Sequence, residues 1–306
     1  PDPPAADPSA PPSTEAAPPV PDEVEIPPDE PGEKPKTVTL DPPADEGTTG
    51  PEPEGVEKTP VPVDVFGSSV WSRGVPRWFM MAAIDLGVVY FRPRIGFGYG
   101  QPHYNWIGIE TNPIVSLRGV GAWGGLRFAI PGLDLRVGAR YFYDFDHSYL
   151  EPSHSYSRSE LDVRDGPRST PMDLEAELSW SVNVGVGELY GEHELAYIMS
   201  VPEGYFVYDD HLRIIVDPPW AYRNRLGFSF YFGRRARLRA GPVLEVAGSP
   251  DRGTVVWRAG LSVRMRLYDD LELRGTFVPV VDARDSLGLQ GADAFLVGVR
   301  YRWATD

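Results

Sequence analysis

The sequence predicts an all-β fold: an antiparallel transmembrane β-barrel of about ten strands behind a disordered proline-rich tail. Three observations carry this reading. Apolar and polar residues alternate one by one through most of residues 114–303, the period of a strand with a different environment on each face. The alternating segments reach about 12–15 residues, beyond the ~9–11 that a tilted membrane strand needs and the ~5–6 common in soluble sheets. Short turns and longer connections also follow one another in alternation, as in barrels whose two ends carry different loops. No run of 18 apolar residues is present, so a transmembrane helix is not available.

The 306 residues suffice for one large barrel or two small domains. Cysteine is absent, which excludes disulfides and thiolate metal sites. Residue 1 is Pro, and no charged-then-apolar leader is present, as expected of an exported chain whose leader has been cleaved. The net charge of −15 is unevenly spread: residues 1–62 hold 15 acids and 3 Lys, a net of −12. All three Lys lie in that segment, so the other 26 basic residues are Arg. Genome composition explains such a bias, and so does a need for planar, bidentate pairing in a confined space.

Residues 1–62 hold 19 of the 33 Pro and no aromatic residue. Pro-Pro pairs favour polyproline II, and like charges extend the chain further. With so little apolar surface to bury, this segment is expected to be disordered, a spacer reaching periplasm, cell wall or another envelope protein. Residues 63–306 form the expected barrel. Trp71, Trp78 and Phe79 open it with aromatics suited to a membrane interface. Ile84, Leu86, Val88 and Tyr90 then alternate, the parity flips across Arg92-Pro93-Arg94, and Ile95, Phe97 and Tyr99 continue. A flip at Pro predicts a bulge or break.

Further along, strands are expected over 114–130, 133–147 and 171–186. In the last of these Leu174, Leu178, Trp180 and Val182 oppose Asp173, Glu175, Glu177 and Ser179. A strand holding Leu195, Tyr197 and Met199 follows. Four more come after Trp220, and 292–303 closes the set. Short turns are expected at 131–132, 187–191, 233–235 and 269–270, and longer connections at 147–170, 203–220, 248–253 and 282–291. This gives nine strands after residue 114, and one over 84–99 makes ten. If that stretch is two strands and 104–111 also pairs, the count is twelve.

In 292–303, Phe295, Val297, Val299, Tyr301 and Trp303 share one face, with Arg300 and Arg302 on the other. A last strand ending on an aromatic residue resembles the closing strand of bacterial outer-membrane β-barrels, although Ala304, Thr305 and Asp306 follow it here. The resemblance implies outer-membrane residence in contact with lipid. The loop alternation then places both the tail and the C-terminus in the periplasm. No nucleic-acid partner and no cofactor is expected.

The polar faces point Arg136, Arg140, Glu175, Glu177, Arg237, Arg239, Arg258, Arg264, Arg266, Arg300 and Arg302 into the lumen. In a narrow barrel such charges must pair, so the leading expectation is a lumen filled by Arg–carboxylate pairs and a structural or assembly role in an envelope complex. The alternative is a narrow porin-like diffusion channel. Glu175 and Glu177 lie near the longer loops while Arg264, Arg266, Arg300 and Arg302 lie near the short turns, a difference in height that counts against a constriction between them. One further pattern resembles the omptins, ten-stranded outer-membrane proteases. Asp144 and Asp146 match an Asp pair on the rim, and Asp209 with His211 an Asp–His pair, which implies activation of a water for hydrolysis. No zinc, calcium or phosphate-loop spacing is present.

Overall fold

The structure, a computed structural model, describes residues 71, 74–87, 90–161, 168–233, 236–294 and 297–305. The expected tail, residues 1–62, lies outside them. The chain runs β1 (Arg77–Gly87), β2 (Tyr90–Gln101), β3 (Asn105–Ser116), β4 (Gly119–Ile130), β5 (Leu133–Asp144), α1 (Arg158–Leu161), β6 (Met172–Asn183), β7 (Gly187–Met199), β8 (Val207–Asp209) and β9 (Ile214–Val216). It continues through β10 (Trp220–Phe232), β11 (Leu238–Ser249), β12 (Thr254–Arg266), β13 (Leu271–Val278), β14 (Val280–Asp282), β15 (Asp293–Ala294) and β16 (Gly298–Ala304). Twelve strands, β1–β7, β10–β13 and β16, close an antiparallel ring in which β16 pairs back onto β1. β14 and β15 extend that wall beside β12 and β13.

Twelve strands rather than ten follow from two misread places. Pro93 neither bulges nor breaks its strand. The parity flips because β1 ends at Gly87 and β2 begins at Tyr90, and the two pair antiparallel. Pro93 sits within β2, and Asn112-Pro113 sits within β3. The β2–β3 ladder skips from Phe91↔Val115 to Ile95↔Thr111, four residues on each strand, so the register resumes unshifted. Proline donates no ladder hydrogen bond, and placing Pro93 and Pro113 in the same gap confines the loss to one patch of wall. A third correction concerns Gly187 and Gly191, which lie inside β7; the turn is 184–186. Of the strand expected over 292–303, Asp293–Ala294 and the stretch from Gly298 are in regular structure, and Phe295 and Leu296 lie outside the described residues.

The two ends of the barrel differ. At one end the connections are 102–104, 131–132, 184–186, 233–237 and 267–270; the first described strand begins there and the last ends there. The other end carries 145–171, 200–219 and 283–292 along with shorter links. We refer to these as the turn end and the loop end.

The period-2 pattern sorts side chains cleanly. Leu174, Leu178 and Val182 of β6 face outward and are exposed, while Asp173 and Glu175 face inward and are buried. The same division holds for Trp257, Leu261 and Val263 against Arg258 and Ser262 on β12, and for Tyr301 and Trp303 against Arg300 and Arg302 on β16. A belt of exposed Leu, Ile, Val and Phe around a closed barrel is unfavourable in water but matches the hydrocarbon core of a membrane. Aromatic pairs flank this belt: Trp78 stacks on Phe97 with centroids 5.4 Å apart near the turn end, and Tyr197 meets Trp220 at 4.9 Å near the loop end. The outer face also carries polar groups, and they satisfy one another. The Trp180 indole donates to His193 Nε2 at 2.9 Å, and His193 Nδ1 meets Asn224 Oδ1 at 2.9 Å. Hydrocarbon offers no other partner.

Inside, the turn end of the β1–β4 wall is filled by Phe79, Met81, Trp106 and Ala129. Trp106 lies across β2, where a Cβ on Gly98 would come within 2.7 Å of its ring and 2.5 Å of the Ile107 carbonyl oxygen. Only glycine permits that approach.

The face assignment makes a direct prediction. Leu178→Arg places a charge on the lipid face at mid-strand and should cost ~2–4 kcal/mol. Ser179→Arg places it in the polar lumen and should cost less. Urea unfolding in liposomes, followed by heat-dependent gel mobility, measures both; a larger loss for Ser179→Arg inverts the barrel.

Candidate functional site: the charged lumen

Alternation aims the charges inward, and strand register then decides which charges meet. One row across four strands reads Glu192, Arg225, Glu245, Arg258, each directly opposite the next. A second row reads Arg266, Glu272, Arg300, Asp85, Arg92. Opposite charges face each other at every step in both, the favourable cross-strand arrangement. Elsewhere like charges meet, as at Arg127↔Arg136, and acids above and below compensate. Glu110 binds Arg127 and Arg136 (2.7 Å to Arg136), Asp134 binds Arg127 (2.8 Å), and Glu177 binds Arg136 (2.9 Å).

Most of the expected lumen residues find partners. Arg140 grips Glu175 through Nε and Nη2, at 2.5 and 3.0 Å. Arg239 reaches Glu188 at 2.8 Å, and Arg258 binds Glu245. Arg300 pairs with Asp85, and Arg302 meets Glu272 at 3.2 Å. Arg264 has Glu192 at 4.0 Å, and Arg266 stands opposite Glu272 in the ladder. Arg237 is the exception: it precedes β11 and is exposed in the turn, because the strand begins one residue later than its alternation suggests. Sequence reasoning missed Asp85, Arg94, Glu110, Glu188, Glu192 and Glu194. The first three sit in β1–β3, where the strand division was misread, and the last three in β7, whose start was read as a turn.

The loop end is closed by its own connections folding inward. The β8–β9 hairpin is buried along its length; Val207, Leu212, Ile214 and Val216 pack on the inward residues Ala196, Ile198, Ala221, Ala247 and Val256 of the wall. A second cluster joins Tyr208 and Ile215 to Leu150, Tyr156, Leu161 and Leu287 of the neighbouring connections. Arg258 fastens the assembly. Its Nε donates to the Gly291 carbonyl at 2.6 Å, and Nη2 donates to those of Leu212 and Arg213 at 3.0 and 2.9 Å. Below the hairpin a cavity of about 940 Å³ remains, lined by charges from nearly every strand.

Three of the four residues of the protease-like pattern, Asp144, Asp209 and His211, make local contacts through their side chains. Asp144 accepts the backbone N–H of Asp146 (2.8 Å) and His147 (2.9 Å), and its second oxygen lies 2.7 Å from His147 Nδ1. Asp209 accepts the backbone N–H of His211 (2.8 Å) and Leu212 (2.7 Å), capping the hairpin tip. His211 Nε2 lies 3.0 Å from Glu194. The geometry therefore brings Asp209 and His211 into one loop and Asp144 and Asp146 into another. Burial pushes the Asp209 carboxyl up to about 6, opposed by its Leu212 hydrogen bond and by Arg140, and reinforced by Glu175 and Glu194. Burial, with Arg140 and Arg223, holds the His211 imidazole well below its usual range, so it stays neutral.

No family model and no curated protein matches the chain. Among solved structures it is similar to the NanC porin, at 10% identity and a TM-score of 0.33, over 74% of this chain and 98% of that one. It is also similar to a loop L8 deletion mutant of OmpT, an outer membrane protein of Vibrio cholerae, at 6% identity and a TM-score of 0.33, over 74% and 99%.

Two predictions follow from the hairpin. Arg258→Ala removes the donor of three carbonyl contacts and a partner of Glu245, and should cost about 3–5 kcal/mol in hairpin docking. Limited proteolysis of the folded barrel should then cut within 205–216. The second concerns pH. The released Asp209 ionises near 3.8, whereas the docked one resists charge until about 6. Docking is therefore strongest below about 4, and it weakens as pH rises through about 6. Amide exchange in 207–216 that slows on going from pH 4 to pH 7, after correction for intrinsic rates, contradicts this.

Proposed function

We propose that the protein is a narrow passage for small hydrophilic solutes through the bacterial outer membrane. The loop end faces outward, and the turn end, with both ends of the described chain, faces the periplasm. The observation that carries the reading is the charged 940 Å³ cavity inside a closed barrel with an apolar exterior. A space of this size lined by ionised groups holds water, because unhydrated charges in it would be strongly penalised. The β8–β9 hairpin restricts entry. Short turns at the other end suit the periplasmic side of outer-membrane barrels.

The paired rows favour a second reading. A lumen whose carboxylates and guanidiniums neutralise one another also serves as a filled barrel with a structural or assembly role in the envelope. Planar-bilayer recording of the full chain separates the two. The passage predicts discrete single-channel steps, larger in the Arg258→Ala variant whose hairpin is loosened. Silent membranes containing correctly folded, heat-modifiable barrel would establish the filled form.

A further inference from the structure

One row of the lumen departs from the pairing seen elsewhere. Arg239, Arg264 and Arg274 stand directly opposite one another on β11, β12 and β13. The row ends on Tyr231 at one side and Gly298 at the other, so it contains no acid. Like charges directly opposite are destabilising unless something compensates them. Arg239 is answered from β7 by Glu188 and lies over the Tyr231 ring at 5.2 Å. The other two are less well served. Arg264 lies over the Tyr190 ring at 5.6 Å and has Glu192 only at 4.0 Å, a carboxylate that also lies 3.5 Å from Arg225. Arg274 shares Glu272 with Arg302, at 3.0 and 3.2 Å.

The arrangement continues toward the turn end, where six Arg and one Glu line a small niche. Arg264, Arg274 and Arg302 line both that niche and the main cavity. Three guanidiniums thus converge where the cavity has room, with 30% and 27% of the Arg264 and Arg274 side chains still open. Each guanidinium carries five N–H donors, and Glu272 offers two oxygens. The walls exclude water on the lipid side, which focuses the field of the uncompensated charge.

We propose that Arg264, Arg274 and Arg302 form a binding site for a phosphate-type dianion at the turn end of the lumen. A tetrahedral dianion carries two charges and more acceptor oxygens than a carboxylate, enough to meet forked N–H donors from β12, β13 and β16 at once, whereas chloride offers one centre with no fork to match. The inference deepens the passage reading by naming a solute class, and it rests on that reading only in needing a hydrated lumen.

The test is calorimetric titration of inorganic phosphate into the detergent-solubilised full chain, with chloride at matched ionic strength as control. Saturable binding beyond the chloride control is expected. The double variant Arg264→Gln, Arg274→Gln should weaken it about tenfold or more while heat-dependent mobility persists. In phosphate-free buffer the same variant should unfold at no lower a temperature than wild type, since it relieves like-charge crowding; purely structural arginines would give a loss in both buffers. Wild-type heats equal to the chloride control, or unchanged affinity in the folded double variant, overturn the site. If the Gln variant does not fold, Arg274→Lys keeps the charge but loses the fork, and unchanged phosphate affinity there is equally fatal. Phosphate binding without channel steps refutes the passage and leaves the site standing, while steps without phosphate binding refute the site alone.

Discussion

The structure depends on one constraint: hydrocarbon supplies no hydrogen bonds and water reaches only the inside. The wall must therefore close on itself, which twelve antiparallel strands do once β16 meets β1. Everything polar is pushed inward by the same rule, so a ring of modest diameter receives charges from almost every strand. Their accommodation is then a problem of register rather than of composition. Rows such as Glu192–Arg225–Glu245–Arg258 solve it by alternating sign, and the pairs around Glu110 solve it by stacking acids above and below. The inherited excess of Arg over Lys suits this packing, since a planar fork can hold two carboxylate oxygens with little space.

Much of the barrel is legible in the sequence because period 2 persists over long stretches and the turns at 131–132 and 269–270 carry Pro-Gly and Asp-Asp. Where the signal failed, the physics is specific. β1 and β2 are separated in sequence only by Val88 and Val89, residues that favour strands and give no turn signature. Two prolines inside β2 and β3 read as boundaries, yet the ladder tolerates them because they fall in the same gap. The run Ile214-Ile215-Val216 was hidden in a connection read as polar, though three consecutive apolar residues there were a signal that something gets buried.

The candidate site was partly legible too. Inward Arg and Glu on β5, β6, β12 and β16 followed from alternation alone. Which ones pair did not, because pairing depends on the offset between strands distant in sequence. Arg136 and Glu177 are 41 residues apart and Arg225 and Asp293 are 68 apart, and nothing in either local pattern fixes that they touch. Nor does alternation foretell that β8 and β9 return into the lumen. That requires the small inward residues Ala196, Ala221 and Ala247 to leave space beneath them, a feature visible only once three strands are side by side.

The seam between the first and last strands has a consequence for assembly. Asp85 of β1 is bound by Arg300 of β16, 215 residues away, and by Arg94 of β2 at 3.0 Å. Until the final strand docks, this acid lacks the Arg300 fork, and the edges of β1 and β13 have unfilled backbone groups. A chain that stops short of β16 is thus left with an open margin and a lopsided charge at the same spot. Completion of the polypeptide is written into the chemistry of the seam.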